Sequence, residues 1–225
     1  MRAIDALGIP TGVTAVIGGG GKTTLIRVLA KELCEKDRVI IVSTAKIWPP
    51  DWVQTLYTPG EKALAAHMLS HGVACVGDTC EKGKLTLDKT PLSMLLRHAA
   101  YVLVEADGSK GLPLKAHAAF EPVIPPETRR TILVLGLDGI GRPIREAAHR
   151  PVLYAGLLHT DTAHAVSPED AAAVIELEGY GDMVFLNKAE GDAREAAAKQ
   201  IAARLTRFAA MGSLYTRGEE ICLLS

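Results

Sequence analysis

Aromatic side chains are scarce. They make up 4% of the 225 residues, with only two tryptophans. So few rings leave little material for the stacking platforms that bind single-stranded nucleic acid. Charge of one sign is also missing: 25 Lys and Arg face 26 Asp and Glu, for a net charge of -1. That balance argues against broad binding to nucleic acid or to an anionic membrane. There are four cysteines, Cys34, Cys75, Cys80 and Cys222, with no C-x-x-C pair. This suits reduced thiols better than a disulfide framework. Cys75 and Cys80 read either as metal ligands or as small buried apolar residues. No uncharged stretch approaches the ~20 apolar residues of a membrane helix. Asp5 interrupts the start of the chain where a signal peptide would continue an apolar run. A soluble, cytoplasmic protein without a membrane or nucleic-acid partner is expected. Internal repeats, a G-x-S-x-G elbow and zinc-ligand spacing are absent too. Acyl transfer and zinc hydrolysis therefore have no support.

Nearly half the chain, 48%, is apolar, enough for a full core without disulfide staples. Short β-branched runs alternate with helical stretches. Residues 13–17, 39–43, 101–105, 131–135 and 183–186 read as strands apolar on both faces. Residues 22–36, 61–70, 91–99 and 193–208 read as helices, with Thr90 capping the third and Pro91 in its first position. Ser167-Pro168-Glu169-Asp170 opens another helix with a cap, a proline and two acids. The expected fold is α/β, a single three-layer P-loop NTPase-like domain over residues 1–225 with a mainly parallel sheet. A small antiparallel excursion is expected near 73–87, and one or two last strands within 213–224. Parallel sheets bind ligands at the carboxyl ends of their strands, so the informative residues should sit there.

Gly18-Gly19-Gly20-Gly21-Lys22-Thr23-Thr24 follows the first strand and opens the first helix. Glycines let the backbone turn its N–H groups inward, and those groups with the helix N-terminus form an anion cradle. Lys22 can reach a terminal phosphate and Thr23 can ligate Mg²⁺. The strict G-x-x-x-x-G-K-[ST] pattern fails at Val16; the loop is shorter, closer to the G-x-x-G-K-T-T of Mur-type ligases. Glu105-Ala106-Asp107-Gly108 ends a strongly apolar strand, as a Walker-B carboxylate does. Glu105 or Asp107 would complete the Mg²⁺ shell or orient a nucleophile, with Thr23 and Asp107 the favoured metal ligands. Asn187-Lys188-Ala189-Glu190 resembles the N-K-x-D base-recognition element of GTPases, with glutamate for aspartate. Asn187, Lys188 and Glu190 are thus candidates for holding a purine, with ATP and GTP both open.

Other polar groups carry paired readings. Ser43 and Thr44 end the second strand and could contact Mg²⁺ or phosphate. Lys110 and Lys115 bind an anion or are solvated. Arg142 and Arg150 are phosphate clamps or structural ion pairs. His159, Asp161 and His164 invite a metal reading that no second cluster supports.

Read together, these motifs resemble the YqeC family, described as accessory proteins of selenium-dependent molybdenum hydroxylases. The glycine loop, residues 104–115 (VEADGSKGLPLK), 121–125 (EPVIP), 136–138 (GLD), 149–151 (HRP) and Asn187-Lys188 carry the resemblance, in order along most of the chain. Thr44-Ala45-Lys46 and Glu190 depart from the patterns expected. The resemblance implies a P-loop nucleotide-binding protein tied to an apo molybdenum hydroxylase or its cofactor. The residues themselves imply Mg²⁺-dependent hydrolysis of a nucleoside triphosphate, or phosphoryl transfer. A nucleotide-gated carrier and a small-molecule kinase or ligase are the alternatives.

Overall fold

A computed structural model describes residues 1–214 and 221–224. A short helix α1 (Ala3–Ala6) leads into β1 (Gly12–Gly18), the glycine loop and α2 (Lys22–Leu33). Then come β2 (Val39–Ser43), β3 (Thr55–Tyr57), α3 (Glu61–His71), β4 (Val73–Thr79), β5 (Leu85–Thr86), α4 (Leu92–His98) and β6 (Tyr101–Glu105). A long loop holding β7 (Leu114–Lys115) leads to β8 (Thr128–Gly136). The chain continues through α5 (Ile144–Ala147), β9 (Ala148–His149), α6 (Pro151–Leu157), α7 (Pro168–Glu178), β10 (Met183–Asn187), α8 (Asp192–Ala202), β11 (Phe208–Gly212) and β12 (Ile221–Leu224).

The sheet order is β12-β11-β10-β8-β1-β6-β2-β4-β3, with β5 paired to β4. From β11 to β3 every pairing is parallel. Among the described residues, the antiparallel strand pairs are β12 with β11 and β5 with β4, besides single bridges at Ile47–Leu85 and Pro143–Ala165. The β4–β5 pair is the excursion expected near 73–87.

Strand residues alternate between two cores. Val13, Ala15, Ile17, Val102, Val104, Leu133, Leu135, Val184 and Leu186 face one side with α3, α4, α7 and α8. Val16, Leu103, Ile132, Val134, Met183 and Phe185 face the other with α1 and α2. Both faces are covered, which is why these strands lack the polar alternation of a half-exposed sheet. The fold is three-layer α/β with a large, mostly parallel sheet, as expected.

Local expectations differ at three points. The helix expected over 193–208 ends at Ala202, and Phe208–Gly212 pairs with β10 instead. Phe208 is drawn into a strand by ladder bonds along β10 and by burial of the Ala209 and Ala210 that follow it. Thr90 does not cap α4: its amide and hydroxyl turn to the Asp78 carboxylate, and Pro91 takes the cap position. The strand expected over 131–135 extends to 128–136. The Ser167 opening is as expected, with a reciprocal capping box to Asp170. Of the last strands expected within 213–224, residues 215–220 lie outside the described residues.

Candidate functional site

Parallel pairing puts the carboxyl ends of β10, β8, β1, β6 and β2 along one edge. The glycine loop sits at the middle of that edge, wedged between neighbours. A Cβ on Gly19 would lie 2.7 Å from the Leu112 carbonyl oxygen, and one on Gly20 would enter the Gly136 backbone. Gly20 also has φ of 77°, in the left-handed region. The Gly18 amide donates to Asp107 Oδ2 at 2.8 Å, Gly19 to the Val134 carbonyl at 2.9 Å and Gly20 to the Leu112 carbonyl at 3.0 Å. These bonds lock the first half of the loop. The second half, from Gly21, leads straight into α2, where Gly21 takes the cap position without a side chain.

Lys22 is the first residue of α2 and is buried. Its Nζ donates to the Gly18 carbonyl at 2.6 Å and to Ser109 Oγ at 3.1 Å, and lies 3.1 Å from Asp107 Oδ1. Asp107 also meets Lys115 Nζ at 3.2 Å and His117 Nε2 at 2.7 Å. Beyond them lie Glu121, 3.0 Å from Lys115, Arg150, 2.6 Å from Glu121, and Glu178, 2.8 Å from His117 Nδ1. Burial alone would raise the Asp107 carboxyl. The His117 hydrogen bond, the two lysine charges and the Gly18 amide outweigh it and hold the group far below the usual carboxylate range. Burial pulls His117 down, but its bonds to Asp107 and Glu178 raise it on balance. Asp107 is the hub of a buried ion cluster that ties the glycine loop to the 108–121 loop and the last turn of α7.

Glu105 ends β6 on the other side of the loop. Its Oε2 accepts from Thr23 Oγ1 at 3.0 Å. Burial pushes the Glu105 carboxyl up, against the Lys22 charge and the Thr23 bond. Glu105 and Asp107, two residues apart, thus have different surroundings: one faces a threonine hydroxyl, the other two lysines and a histidine.

At the end of β10 the three base-recognition candidates separate. Asn187 is fully buried, and its Nδ2 donates to the Gly20 carbonyl at 2.7 Å, bracing the loop from beneath. Glu190 is held by Arg194 at 2.9 Å and by the Ser213 hydroxyl. Of the three, Lys188 alone lines the cleft, where it pairs with Asp138 at 2.7 Å.

That cleft has a volume of about 580 Å³. Lys22, Lys46, Lys84, Lys110 and Lys188 line it, as do both tryptophans, Trp48 and Trp52. Glu105 is its carboxylate among the described residues. Pockets of this size accommodate small molecules; of the five lysines, Lys22, Lys46 and Lys188 are paired with Asp107, Glu81 and Asp138.

The remaining candidates have local partners. Ser43 Oγ donates to the Glu105 carbonyl at 2.8 Å and Thr44 Oγ1 to the Val123 carbonyl at 2.7 Å. Lys115 and Arg150 belong to the buried cluster. His164 pairs with Asp170, and Asp161 accepts from the Ala163 and His164 amides. No group of three or more His, Cys, Asp or Glu among the described residues is arranged to hold a metal. Sequence reasoning missed His117 and Glu178, which lie 61 residues apart. Their one signal is the burial of His117 beside the Walker-B-like segment, which appears only in three dimensions.

Among the described residues, no helix is long and apolar enough to cross a membrane. A family model described as "YqeC protein" matches residues 14–152, from β1 to the start of α6. The protein named "Uncharacterized protein YqeC" from Escherichia coli (strain K12) is 28% identical over 171 residues, covering 72% of this chain and 67% of that protein. The matched family region holds the glycine loop, Lys22, Glu105, Asp107, Lys115 and His117, whereas Asn187 and Lys188 lie beyond it. With more than half its length matched, and with the loop and its ion cluster inside the match, this chain belongs to the YqeC family.

Proposed function

We propose that this chain binds a nucleoside triphosphate, ATP or GTP, together with Mg²⁺ at the β1–α2 loop. It hydrolyses the nucleotide or transfers its terminal phosphoryl group, in the service of maturing a selenium-dependent molybdenum hydroxylase. The observation that carries the reading is the pair of contacts at the start of α2. Lys22 is held at Gly18, Ser109 and Asp107, and beside it Thr23 bonds Glu105 at 3.0 Å.

Each residue has a task in this reading. The first-turn amides of α2 bind phosphate oxygens. Lys22, pre-positioned by its three partners, offers its charge to the terminal phosphate, and Asp107 holds it in place until then. Thr23 and Glu105 fit Mg²⁺, which needs only one or two protein oxygens besides phosphate and water. This pairing favours Glu105 over Asp107 as the second protein ligand. When bound, Mg²⁺ neutralises charge on the phosphate oxygens. A cation there also favours the ionised form of Glu105, against its burial. Positioning and fixed charge then carry most of the rate, as in other phosphoryl transfers.

One observation favours the nucleotide-gated carrier as a second reading. Lys22, Asp107, His117 and Glu178 form an unbroken buried chain from the loop to the end of α7. A phosphate that draws Lys22 away alters the far end of that chain. The test is phosphate release from MgATP and MgGTP, with and without an apo molybdenum hydroxylase. Release by the protein alone, abolished in Lys22→Ala, supports the enzyme reading. Release only with the hydroxylase supports the carrier. No release and no nucleotide binding overturns both.

A further inference from the structure

The sheet sets the order of side chains along the cleft. Lys188 follows β10, the glycine loop follows β1, Glu105 ends β6, and Trp48 and Trp52 follow β2. Four strand spacings, about 19 Å in all, separate β10 from β2. A nucleotide with phosphates at the start of α2 extends its base to one side only. In the nucleotide reading Thr23 and Glu105 would hold Mg²⁺ on the β2 side of the loop, which would set the terminal phosphate toward the tryptophans and the base toward Lys188.

The surface beyond Glu105 is unusual for this chain. Both of its tryptophans are there, and Trp48 is 63% exposed. Lys84 Nζ sits 5.6 Å from the Trp48 ring centroid, a cation over an aromatic face. Lys110 reaches the cleft from a left-handed backbone, φ 52°, a conformation that glycine or asparagine adopts at less cost.

We propose that Trp48, Trp52, Lys84 and Lys110 form a second ligand site, for a planar aromatic molecule carrying an anionic group, beside the terminal phosphate. The proposal rests on the nucleotide reading above and adds the class of the second ligand. The ring lies against tryptophan and the anion meets the two lysines.

The test uses 1-naphthyl phosphate and flavin mononucleotide as probes, titrated by calorimetry into the protein saturated with a non-hydrolysable ATP or GTP analogue and Mg²⁺. Both probes are expected to bind at least tenfold more tightly than inorganic phosphate or 1-naphthol. Trp48→Ala and Lys110→Ala should each weaken the probes by tenfold or more and leave analogue binding unchanged. Trp48 is exposed, so its removal leaves the core intact. Absence of probe binding to the analogue-loaded protein overturns the second site, as does displacement of the analogue by the probes. Loss of analogue binding in Trp48→Ala also overturns it, because the wall would then seat the base. Failure of the analogue to bind the unmodified protein instead overturns the nucleotide reading.

Discussion

Lys22 Nζ and Asp107 Oδ1 lie 3.1 Å apart, with side chains 3% and 0% exposed. The lysine comes from the first turn of α2 and the aspartate from beyond the end of β6. Their contact closes the glycine loop from within. Lys115 and His117 share the same carboxylate, so its negative charge keeps two partners besides Lys22.

Removing the hub should cost more than removing one spoke. Breaking a buried ion pair by deleting one partner typically costs about 3–5 kcal/mol. Asp107→Asn leaves Lys22, Lys115 and His117 facing a neutral amide, and should fall in that range by urea denaturation. Lys22→Met leaves Asp107 with two cations and the Gly18 amide, and should cost less, about 1–3 kcal/mol. A smaller loss in Asp107→Asn than in Lys22→Met would contradict the hub.

The cluster also fixes a pH dependence. His117 is raised above the ordinary histidine value of 6.5 by Asp107 and Glu178, against its burial. Its folded form therefore binds the proton more tightly than the unfolded chain. That contribution is complete below about 6.5 and fades as pH rises through the folded value. Asp107, held below the ordinary 3.8, has the opposite sign: its contribution is present above 3.8 and fades as pH falls through its folded value. Stability measured by denaturation should decline on the alkaline side of 6.5, and His117→Gln should flatten that decline. An unchanged alkaline slope in the variant would remove His117 from the account.

Glu105 and Thr23 should govern metal dependence. Glu105→Gln and Thr23→Val are expected to reduce nucleotide affinity at least tenfold in the presence of Mg²⁺, and much less in its absence. Asp107→Asn should weaken binding in both conditions alike. Comparing affinities with and without EDTA checks this, and a Mg²⁺-specific loss in Asp107→Asn alone would reverse the assignment of the two acids.

Asn187 offers a sharp contrast between two roles. Buried beneath Gly20, it braces the loop. Asn187→Ala should lower stability by about 1–3 kcal/mol, the cost of leaving a buried partner unsatisfied. It should weaken ATP and GTP by the same factor. A change in the ratio of the two affinities would show that Asn187 reads the base.

These residues also mark what the sequence could reveal. Strands apolar on both faces announced a parallel sheet, and the run Gly18 to Thr24 announced a loop at its edge, because both signals are local. Phe208–Gly212 carries no strong local strand signal, and its pairing depends on the edge of β10. Glu105 and Asp107 were readable as a pair of acids but not as different ones, since Thr23 and His117 arrive from elsewhere in the chain. Asn187 reads as a base-recognition residue because Asn187-Lys188-Ala189-Glu190 resembles an N-K-x-D element. Here it faces the back of the loop.

The most direct test is calorimetric titration of the purified protein with ATP and with GTP, with and without Mg²⁺, alongside Lys22→Ala. The account predicts Mg²⁺-dependent binding of at least one nucleotide that disappears in Lys22→Ala while the variant remains folded. Absence of binding for both nucleotides, or equal binding by the folded variant, would contradict it and leave the glycine run as a tightly braced turn.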